Sequence, residues 1–270
     1  MPNPAPRRDT RGIVDAAALL RHVRFRRHLP APPLRPYLEH YWLIDWDLPA
    51  PYVSHVVPHP SVNVVFQRLG ADEPFGEVAG VGLGLFSKKL EGRGRVCGAQ
   101  FRPGGFRPFA PEHPVIELTG RQLPLSAVFA APPAHPARDV TGPADDHARV
   151  SALDALLLRL GPAPDPGADQ AMALVDRVRT DRTVRRVSAL ARAEGLSVRA
   201  LQRLFSAYVG VGPKWVILRY RIHEALERAE TEAAVDWAGL AADLGYADQA
   251  HLVRDFTATV GVPPTAYAPR

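Results

Sequence analysis

The N-terminal half of the chain alternates hydrophobic and polar positions with the two-residue period of β-strands. Leu38, His40, Trp42, Ile44 and Trp46 alternate with polar or smaller residues. Clusters of glycine and proline interrupt the alternation at short intervals up to about residue 105. Short strands with frequent turn signals are typical of antiparallel barrels and sandwiches. The pattern therefore predicts a β-rich domain, either a barrel or a jelly-roll sandwich.

Helical spacing replaces this alternation further along the chain. Leu123–Ala130 is a short candidate helix, and Ala144–Leu160 carries an apolar stripe that can pack on the β domain or form a dimer seam. Gly161–Gly167 contains three prolines, which predicts a linker. The Pro/Arg-rich N-terminus predicts an arm with a short helix around Val14–Val23. The predicted division is an arm at 1–32, a β-rich domain with trailing helices at 33–160, a linker at 161–168 and a helical domain at 169–270.

The helical domain contains an internal repeat. The matching pairs are Leu190-Ala191 and Leu240-Ala241, Gly195 and Gly245, Leu201-x-Arg203-x-Phe205 and Leu252-x-Arg254-x-Phe256, and Val209–Pro213 and Val260–Pro264. The copies lie 50 residues apart up to the glycine and 51 after it, which predicts one residue added at the start of the second copy's last helix.

Each copy predicts a short helix, a turn at a glycine with positive φ, and a second helix capped by Ser197 or Asp248. These are the elements of the helix-turn-helix, whose second helix enters the DNA major groove. A long helix over Pro213–Ala229 would join the two units and fix the distance between their recognition helices. The repeat therefore predicts a transcription regulator that binds double-stranded DNA at a promoter operator.

Positive charge is concentrated around the first unit. The formal net charge is only +5, and an abundance of arginine over lysine is typical of GC-rich coding. Between residues 177 and 221 the bases outnumber the acids Asp181 and Glu194, whereas acids outnumber bases after residue 222. The bases are Arg177, Arg179, Arg182, Arg185, Arg186, Arg192, Arg199, Arg203, Lys214, Arg219 and Arg221. We expect the first unit to provide most of the attraction for DNA phosphates. Arg185 is expected to contact phosphate at most, and no base.

The composition narrows the class of protein. The single cysteine, Cys97, excludes an intrachain disulfide and suits the reducing cytosol. No apolar run approaches the ~18 residues of a membrane span, and the N-terminus lacks the apolar core of a secretory signal. A cytoplasmic protein without membrane contact is expected. Nucleotide-binding, zinc-protease and serine-hydrolase motifs do not occur, so an enzyme is not supported and no cofactor is expected.

Five motifs stand out in residues 170–268: Leu201-Gln202-Arg203-Leu204-Phe205, Gly210-Val211-Gly212-Pro213, Leu244-Gly245-Tyr246-x-Asp248-Gln249, Arg254-x-Phe256 and Gly261-Val262-Pro263-Pro264-x-x-Tyr267. Through these motifs, residues 170–268 resemble the DNA-binding domain of AraC/XylS-type transcription regulators. Residues 35–130 are similar to the cupin-like sensor domain of one branch of that family, through His40-Tyr41-Trp42 and Phe101-Arg102-Pro103-Gly104-Gly105. The resemblance implies an α+β chain, with a β-rich cupin-like barrel followed by an all-α double helix-turn-helix domain.

The resemblance also implies which residues contact DNA. The first recognition helix would present Arg199, Gln202 and Arg203 to base edges. The second would present Gln249, Ala250, His251 and Arg254. Arginine matches guanine and glutamine matches adenine, which agrees with these assignments. The family often has basic residues after the second phenylalanine, where this chain has Thr257-Ala258-Thr259, so a weaker phosphate contact is expected from the second unit.

Aromatic residues of the β domain suggest either a pocket for a small-molecule effector or the core of the barrel. They are Trp42, Trp46, Phe66, Phe101 and Phe106. Trp42 and Trp46 lie four residues apart and are predicted to share one face of a strand.

Histidines and the single cysteine of the β domain are candidates for a metal site and a redox sensor. His55 and His59, with His40 and Glu39 nearby, could bind a metal, but the spacing is not that of metal-binding cupins and no metal is predicted. Cys97 is expected to be a buried thiol rather than a redox sensor.

The predicted function is a transcription regulator controlled by an effector in the N-terminal domain. Ligand binding would shift the arrangement of the two domains across the linker. RNA polymerase and a second copy of the chain are possible further partners. Two alternatives stay open: a ligand-sequestering protein with a helical scaffold, which the acidic second unit favours, and a metal-dependent cupin enzyme fused to a DNA-binding domain.

Overall fold

The computed structural model describes residue 10, residues 12–231 and residues 235–267. Within these residues the N-terminal part forms one antiparallel sheet. Its strands are β1 (Ile13–Val14), β2 (Arg24–His28), β3 (Leu38–Val56), β4 (Asn63–Leu69), β5 (Phe75–Ala79), β6 (Phe86–Phe101) and β7 (Gln122–Pro124). The sheet order is β1-β3-β6-β4-β5-β7, and β2 also pairs with β3. An α+β chain with a β-rich N-terminal part and a helical C-terminal part is confirmed.

The helices follow the sheet along the chain, except for the first. They are α1 (Ala16–His22), α2 (Pro136–Thr141), α3 (Asp146–Leu160), α4 (Pro166–Thr180), α5 (Val187–Ala193), α6 (Val198–Tyr208), α7 (Pro213–Thr231), α8 (Trp237–Asp243), α9 (Gln249–Val260) and α10 (Pro264–Tyr267). No helix in the described ranges is both long and apolar enough to cross a membrane.

Most predicted helices occur near their predicted bounds, and three differences are instructive. The stretch predicted as an arm contains β1, α1 and β2, so the sheet begins before residue 33. The helix expected over 123–130 is instead β7 followed by a short 3-10 turn at Leu125–Ala127. Helix α4 starts at Pro166, inside the predicted linker, because the Asp165 carboxylate caps it by accepting from the amides of Gly167 and Ala168.

Two hydrophobic clusters cover the two faces of the sheet. One face contributes Tyr41, Phe66 and Phe101 to the largest cluster, which helices α2 and α3 also join through residues such as Val140 and Leu153. The other face contributes Trp46 and its neighbours to a smaller cluster under α1. Alternation along β3 separates the two sets of side chains.

The largest hydrophobic cluster continues from the β part into the helical part. It contains Leu174 and Val175 of α4, and Leu201 and Phe205 of α6. The segment between α3 and α4 is also attached to the β part, since the amide of Ala163 donates to the carbonyl of Pro108 at 2.9 Å. The two parts of the chain therefore share one core.

Candidate nucleic-acid interface

Two helix-turn-helix units occupy the C-terminal part, and the backbone around their turn glycines has the same hydrogen bonds. In the first, between α5 and α6, the amide of Leu196 donates to the carbonyl of Ala191 and that of Gly195 to Arg192. In the second, between α8 and α9, Tyr246 donates to Ala241 and Gly245 to Ala242. This pair of bonds is the Schellman motif, which requires positive φ at its glycine. Gly195 has φ 65° and Gly245 has φ 74°, which confirms the predicted turns.

Each recognition helix is capped by the predicted side chain. The Ser197 hydroxyl accepts from the amide of Ala200 at 3.1 Å, and the Asp248 carboxylate accepts from the amide of His251 at 2.7 Å. The cap and the following leucine are equally spaced in both copies, so the extra residue of the second copy lies in the turn before the cap. The expectation that it lies at the start of the helix is wrong.

The inner faces of the recognition helices are buried. Leu201 and Phe205 of α6, and Leu252 and Phe256 of α9, have no exposed side-chain surface. Trp237 packs edge-on against Phe256, with ring centroids 5.8 Å apart. The burial of these residues fixes the orientation of each recognition helix about its own axis. It therefore determines which side chains face outward.

The outer faces carry most of the predicted DNA contacts. Arg199, Gln202 and Arg203 are exposed on α6, and Gln249 and Arg254 are exposed on α9, as is Ala250. His251 differs because its ring lies edge-on to Tyr246, at 5.1 Å between centroids, and its Nε2 is 3.7 Å from an oxygen of Asp255. The structure thus brings together three outward polar side chains in the first unit and two in the second, with His251 beside them.

Fewer bases are available for phosphate than the sequence count indicates. Arg177 and Arg179 pair with Glu194 and Asp176, and Arg182 pairs with Glu224. In the described chain, the exposed bases of the first unit for which no ion pair is found are Arg185, Arg186, Arg192, Arg199, Arg203 and Lys214. These six side chains still make the first unit the more positive of the two.

Arg219 of α7 has a structural role that its sequence position did not indicate. Its side chain is buried and donates to the carbonyls of Pro58 and Leu83, in two loops of the β part, at 3.2 and 2.9 Å. Its guanidinium lies 4.3 Å from the centre of the Trp215 ring. Burial lowers its pKa to about 10. Arg219 is thus removed from the DNA-facing charge and joins the bridging helix to the β part.

Further contacts connect both helix-turn-helix units to the β part. The Thr119 hydroxyl donates to the carbonyl of Gly210 at the end of α6 at 2.7 Å. The rings of His59 and His223 stack with centroids 4.0 Å apart. Val57 belongs to the hydrophobic cluster of the second unit. Sequence spacing gave no signal for these pairs, because each joins residues more than 90 positions apart.

The five aromatic residues suggested for an effector pocket do not lie together. Phe66, Phe101 and Phe106 are fully or almost fully buried in the largest cluster. Trp42 and Trp46 share a face, as predicted, but it is the opposite face of the sheet. A single pocket lined by all five is therefore not present in this structure.

The suggested metal and redox side chains also have defined surroundings. His55 shares a hydrogen bond with the Ser87 hydroxyl at 2.8 Å, whereas His59 stacks on His223. Among the described residues, no group of three or more His, Cys, Asp or Glu side chains is placed to hold a metal ion. Cys97 is buried in β6, and burial raises the pKa of its thiol to about 11.

Each of the two parts of the chain matches a known protein family. Residues 190–270 match a family described as a helix-turn-helix domain, and residues 26–124 match a domain of unknown function (DUF6597). Comparison with curated protein sequences found no match.

Among solved structures, the chain is similar to ToxT from Vibrio cholerae. A structure at 1.65 Å resolution is 10% identical, with 90% of this chain and 97% of that chain covered and a TM-score of 0.44. Wild-type ToxT with a bound unsaturated fatty acid is 13% identical, with coverages of 84% and 94% and a TM-score of 0.42. At these values the likeness says nothing about what the present chain binds.

The two capped helix pairs, their glycine turns and the family match agree with one another. Residues 190–270 of this chain therefore form a helix-turn-helix domain, and this domain follows an antiparallel β domain.

Proposed function

We propose that the protein is a sequence-specific transcription regulator whose two recognition helices read one promoter operator. The observation that carries this proposal is the pair of helix-turn-helix units with buried inner faces and polar outer faces. The proposed base contacts are Arg199, Gln202, Arg203, Gln249, His251 and Arg254. Arginine forks match the two acceptors of guanine, and glutamine amides match the donor and acceptor of adenine.

The two units would contribute unequally to affinity. Arg186, Arg192 and Lys214 are exposed on or beside the first unit and can neutralise phosphates. On the second unit, Asp243 and Asp255 are acidic, and Arg228 lies 3.6 Å from oxygens of both Glu224 and Asp243. The first unit would therefore supply most of the salt-dependent affinity, and the second mainly base recognition.

We propose in addition that a small-molecule effector bound by the β domain controls DNA binding. A ligand shifts such an equilibrium only if it binds two states of the protein with different affinity. Thr119 contacts the first unit directly, and Val57 packs in the hydrophobic cluster of the second unit. Arg219 and the His59–His223 stack join the β domain to the bridging helix α7. A change in the β domain can therefore reach the recognition helices through packed contacts, without a swing about the linker.

DNA fragments selected by the purified full-length chain would test this function. A common selected sequence is expected, and its mobility shift should exceed that of scrambled DNA. Absence of any selected sequence would favour the ligand-sequestering alternative, and stoichiometric metal in the purified protein would favour the cupin-enzyme alternative.

Arg203→Ala and Arg192→Ala separate base contact from phosphate contact. Arg203→Ala should weaken binding to the selected site by about 1–3 kcal/mol and relax discrimination at one base pair. Arg192→Ala should weaken binding to all sequences alike and reduce the slope of log K against log salt by about one. The assignment is contradicted if both variants behave identically on selected and scrambled DNA.

A further inference from the structure

The loop between α4 and α5, residues 181–186, reaches from the first helix-turn-helix unit to the turn of the second. The guanidinium of Arg185 donates from Nη2 to the carbonyl of Asp243, at the end of α8, at 3.0 Å. Its aliphatic part lies across Gly245, since a Cβ at Gly245 would be 2.7 Å from Cδ of Arg185. The second unit's turn therefore rests on an arginine that precedes the first unit.

The same loop is attached to the bridging helix α7. Arg221 donates from Nη2 to the carbonyl of Arg185 at 3.1 Å, and its guanidinium lies 5.6 Å from the ring centre of Tyr246. Arg182 forms an ion pair with Glu224. Helix α7 thus binds the backbone carbonyl of Arg185, while the side chain of Arg185 contacts the second unit.

The two repeated glycines show that this contact belongs to only one copy. Gly195 and Gly245 share positive φ, but a Cβ at Gly195 would meet nothing within 4 Å. Gly195 is required by its backbone conformation alone. Gly245 is required both by conformation and by the close approach of Arg185. The repeat itself does not explain the second requirement.

We propose that Arg185 is a positioning residue that fixes the second recognition helix relative to the first, and thereby the spacing of the half-sites that the protein accepts. This inference rests on the proposed function. Apart from Arg185, the second unit is held by α7 and by the packing around Val57 of the β part, and it could tilt about one end of α7. The Arg185 contact lies off the α7 axis and opposes this tilt. Successive major grooves on one DNA face lie about 34 Å apart, so a small tilt changes the accepted spacing.

The alternative is that Arg185 only attracts phosphate, as the sequence predicts. A guanidinium has five N–H donors, so a bond to one carbonyl does not exclude a phosphate contact. The two roles differ in what they change. A phosphate contact alters affinity for every DNA alike, whereas a positioning contact alters the preference between spacings.

The experiment measures affinity for the selected operator and for the same operator with one or two base pairs inserted between its half-sites. Arg185→Met keeps an unbranched side chain over Gly245 but removes the donor and the charge. Arg186→Met is the matched control, because Arg186 is the neighbouring exposed arginine and loses the same charge. We expect Arg185→Met to reduce the ratio of affinities for native and lengthened operators by about tenfold, the effect of losing one charged hydrogen bond. Arg186→Met should leave the ratio unchanged.

The glycine pair supplies a second, independent comparison. Gly245→Ala should reduce the same ratio because the new Cβ displaces Arg185, whereas Gly195→Ala should not. Both substitutions strain the backbone, but a loss of folded protein lowers affinity for all operators equally and cancels in the ratio.

The outcomes separate the two proposals. If wild-type protein selects an operator and Arg185→Met retains its spacing preference, the positioning role is wrong and the regulator function stands. An equal loss of affinity at every spacing with a flatter salt dependence would assign Arg185 to phosphate and likewise overturn the positioning role. If wild-type protein selects no DNA sequence, the proposed function fails and this inference fails with it.

Discussion

Asp45 on β3 shows how single side chains connect distant parts of the β domain. Its carboxylate accepts hydrogen bonds from Arg149 of α3, Arg95 of β6 and Arg26 of β2. Arg149 is almost completely buried and also lies 3.6 Å from Asp146. Burial alone would raise the pKa of Asp45. The hydrogen bonds from Arg149, Arg95 and Arg26 outweigh burial and hold this pKa below its ordinary value. The cluster ties α3 to the sheet, and its stability depends on pH.

Asp45→Asn should destabilise the protein and flatten its acid sensitivity. Removing the carboxylate leaves the positive charge of the buried Arg149 less well neutralised. This should lower the free energy of unfolding by about 3 kcal/mol. Because the folded pKa of Asp45 lies below the unfolded value, its contribution is complete above about pH 5 and is lost as the pH falls through the folded pKa. Denaturant unfolding from pH 7 to pH 3 measures both effects.

The matched control for Asp45→Asn is Asp47→Asn, on the same strand but exposed. It should change the unfolding free energy little. Equal effects of the two substitutions at pH 7, or an unchanged acid sensitivity in Asp45→Asn, would contradict the role given to this cluster.

At the scale of elements, β3 and β6 pair along most of their length and place two tryptophans over two glycines. The register sets Trp42 opposite Gly98 and Trp46 opposite Gly94. The Trp42 indole nitrogen donates to the amide oxygen of Asn63 at 3.2 Å. A Cβ at Gly98 would lie 2.1 Å from Cε2 of Trp42. The glycines thus provide the space in which the indoles lie flat on the neighbouring strand.

Gly98→Ala should therefore destabilise the sheet although alanine is small. The added methyl group cannot coexist with the present position of the Trp42 indole, and overpacking of this kind costs about 1–3 kcal/mol. Thermal unfolding measures the loss, and a shift of tryptophan emission reports the displaced indole. Gly84→Ala is the control, since a Cβ there would meet nothing within 4 Å. Equal stability of the two variants would show that the indole has room to move.

The sequence predicts features that depend on neighbouring residues better than features that depend on the pairing of distant strands. Ser197, Asp248 and the two turn glycines act within a few residues of themselves, and the sequence predicted their helices and caps correctly. Alternation likewise predicted that Trp42 and Trp46 share a face. It could not predict that Gly98 lies opposite Trp42, because strand register joins distant segments. The suggested pocket failed to form around all five aromatic residues for this reason.

At the scale of the whole molecule, the two parts meet where small residues allow close approach. Gly104 and Gly105 of the β part lie against α4, and a Cβ at Gly104 would be 3.0 Å from the backbone nitrogen of Met172. Arg102 pairs with Asp176 of the same helix. Tyr208 of α6 donates to Asp165 at 3.0 Å. The proline-rich segment predicted as a linker therefore runs beside a packed interface.

This interface was not accessible to sequence reasoning. Three prolines between Gly161 and Gly167 are as compatible with a packed connection as with an extended one. The deciding contacts are made by Gly104, Gly105 and Thr119, which carry no sequence pattern of an interface. The division into domains and the control of DNA binding by the β domain stay predictions, but any such control has to act on a shared core.

The shared core predicts that the full-length chain unfolds in one cooperative transition. Calorimetry should give a single peak whose van't Hoff and calorimetric enthalpies agree. Met172→Asp places a carboxylate in the interface between α4 and the β part, where burying an unpaired charge costs several kcal/mol, and should separate unfolding into two transitions. Gln170→Asp adds the same charge on the exposed side of α4 and should retain one transition. Two transitions in the wild-type protein would show instead that the β part and the helix-turn-helix domain are energetically independent, and that effector control would have to act across the linker.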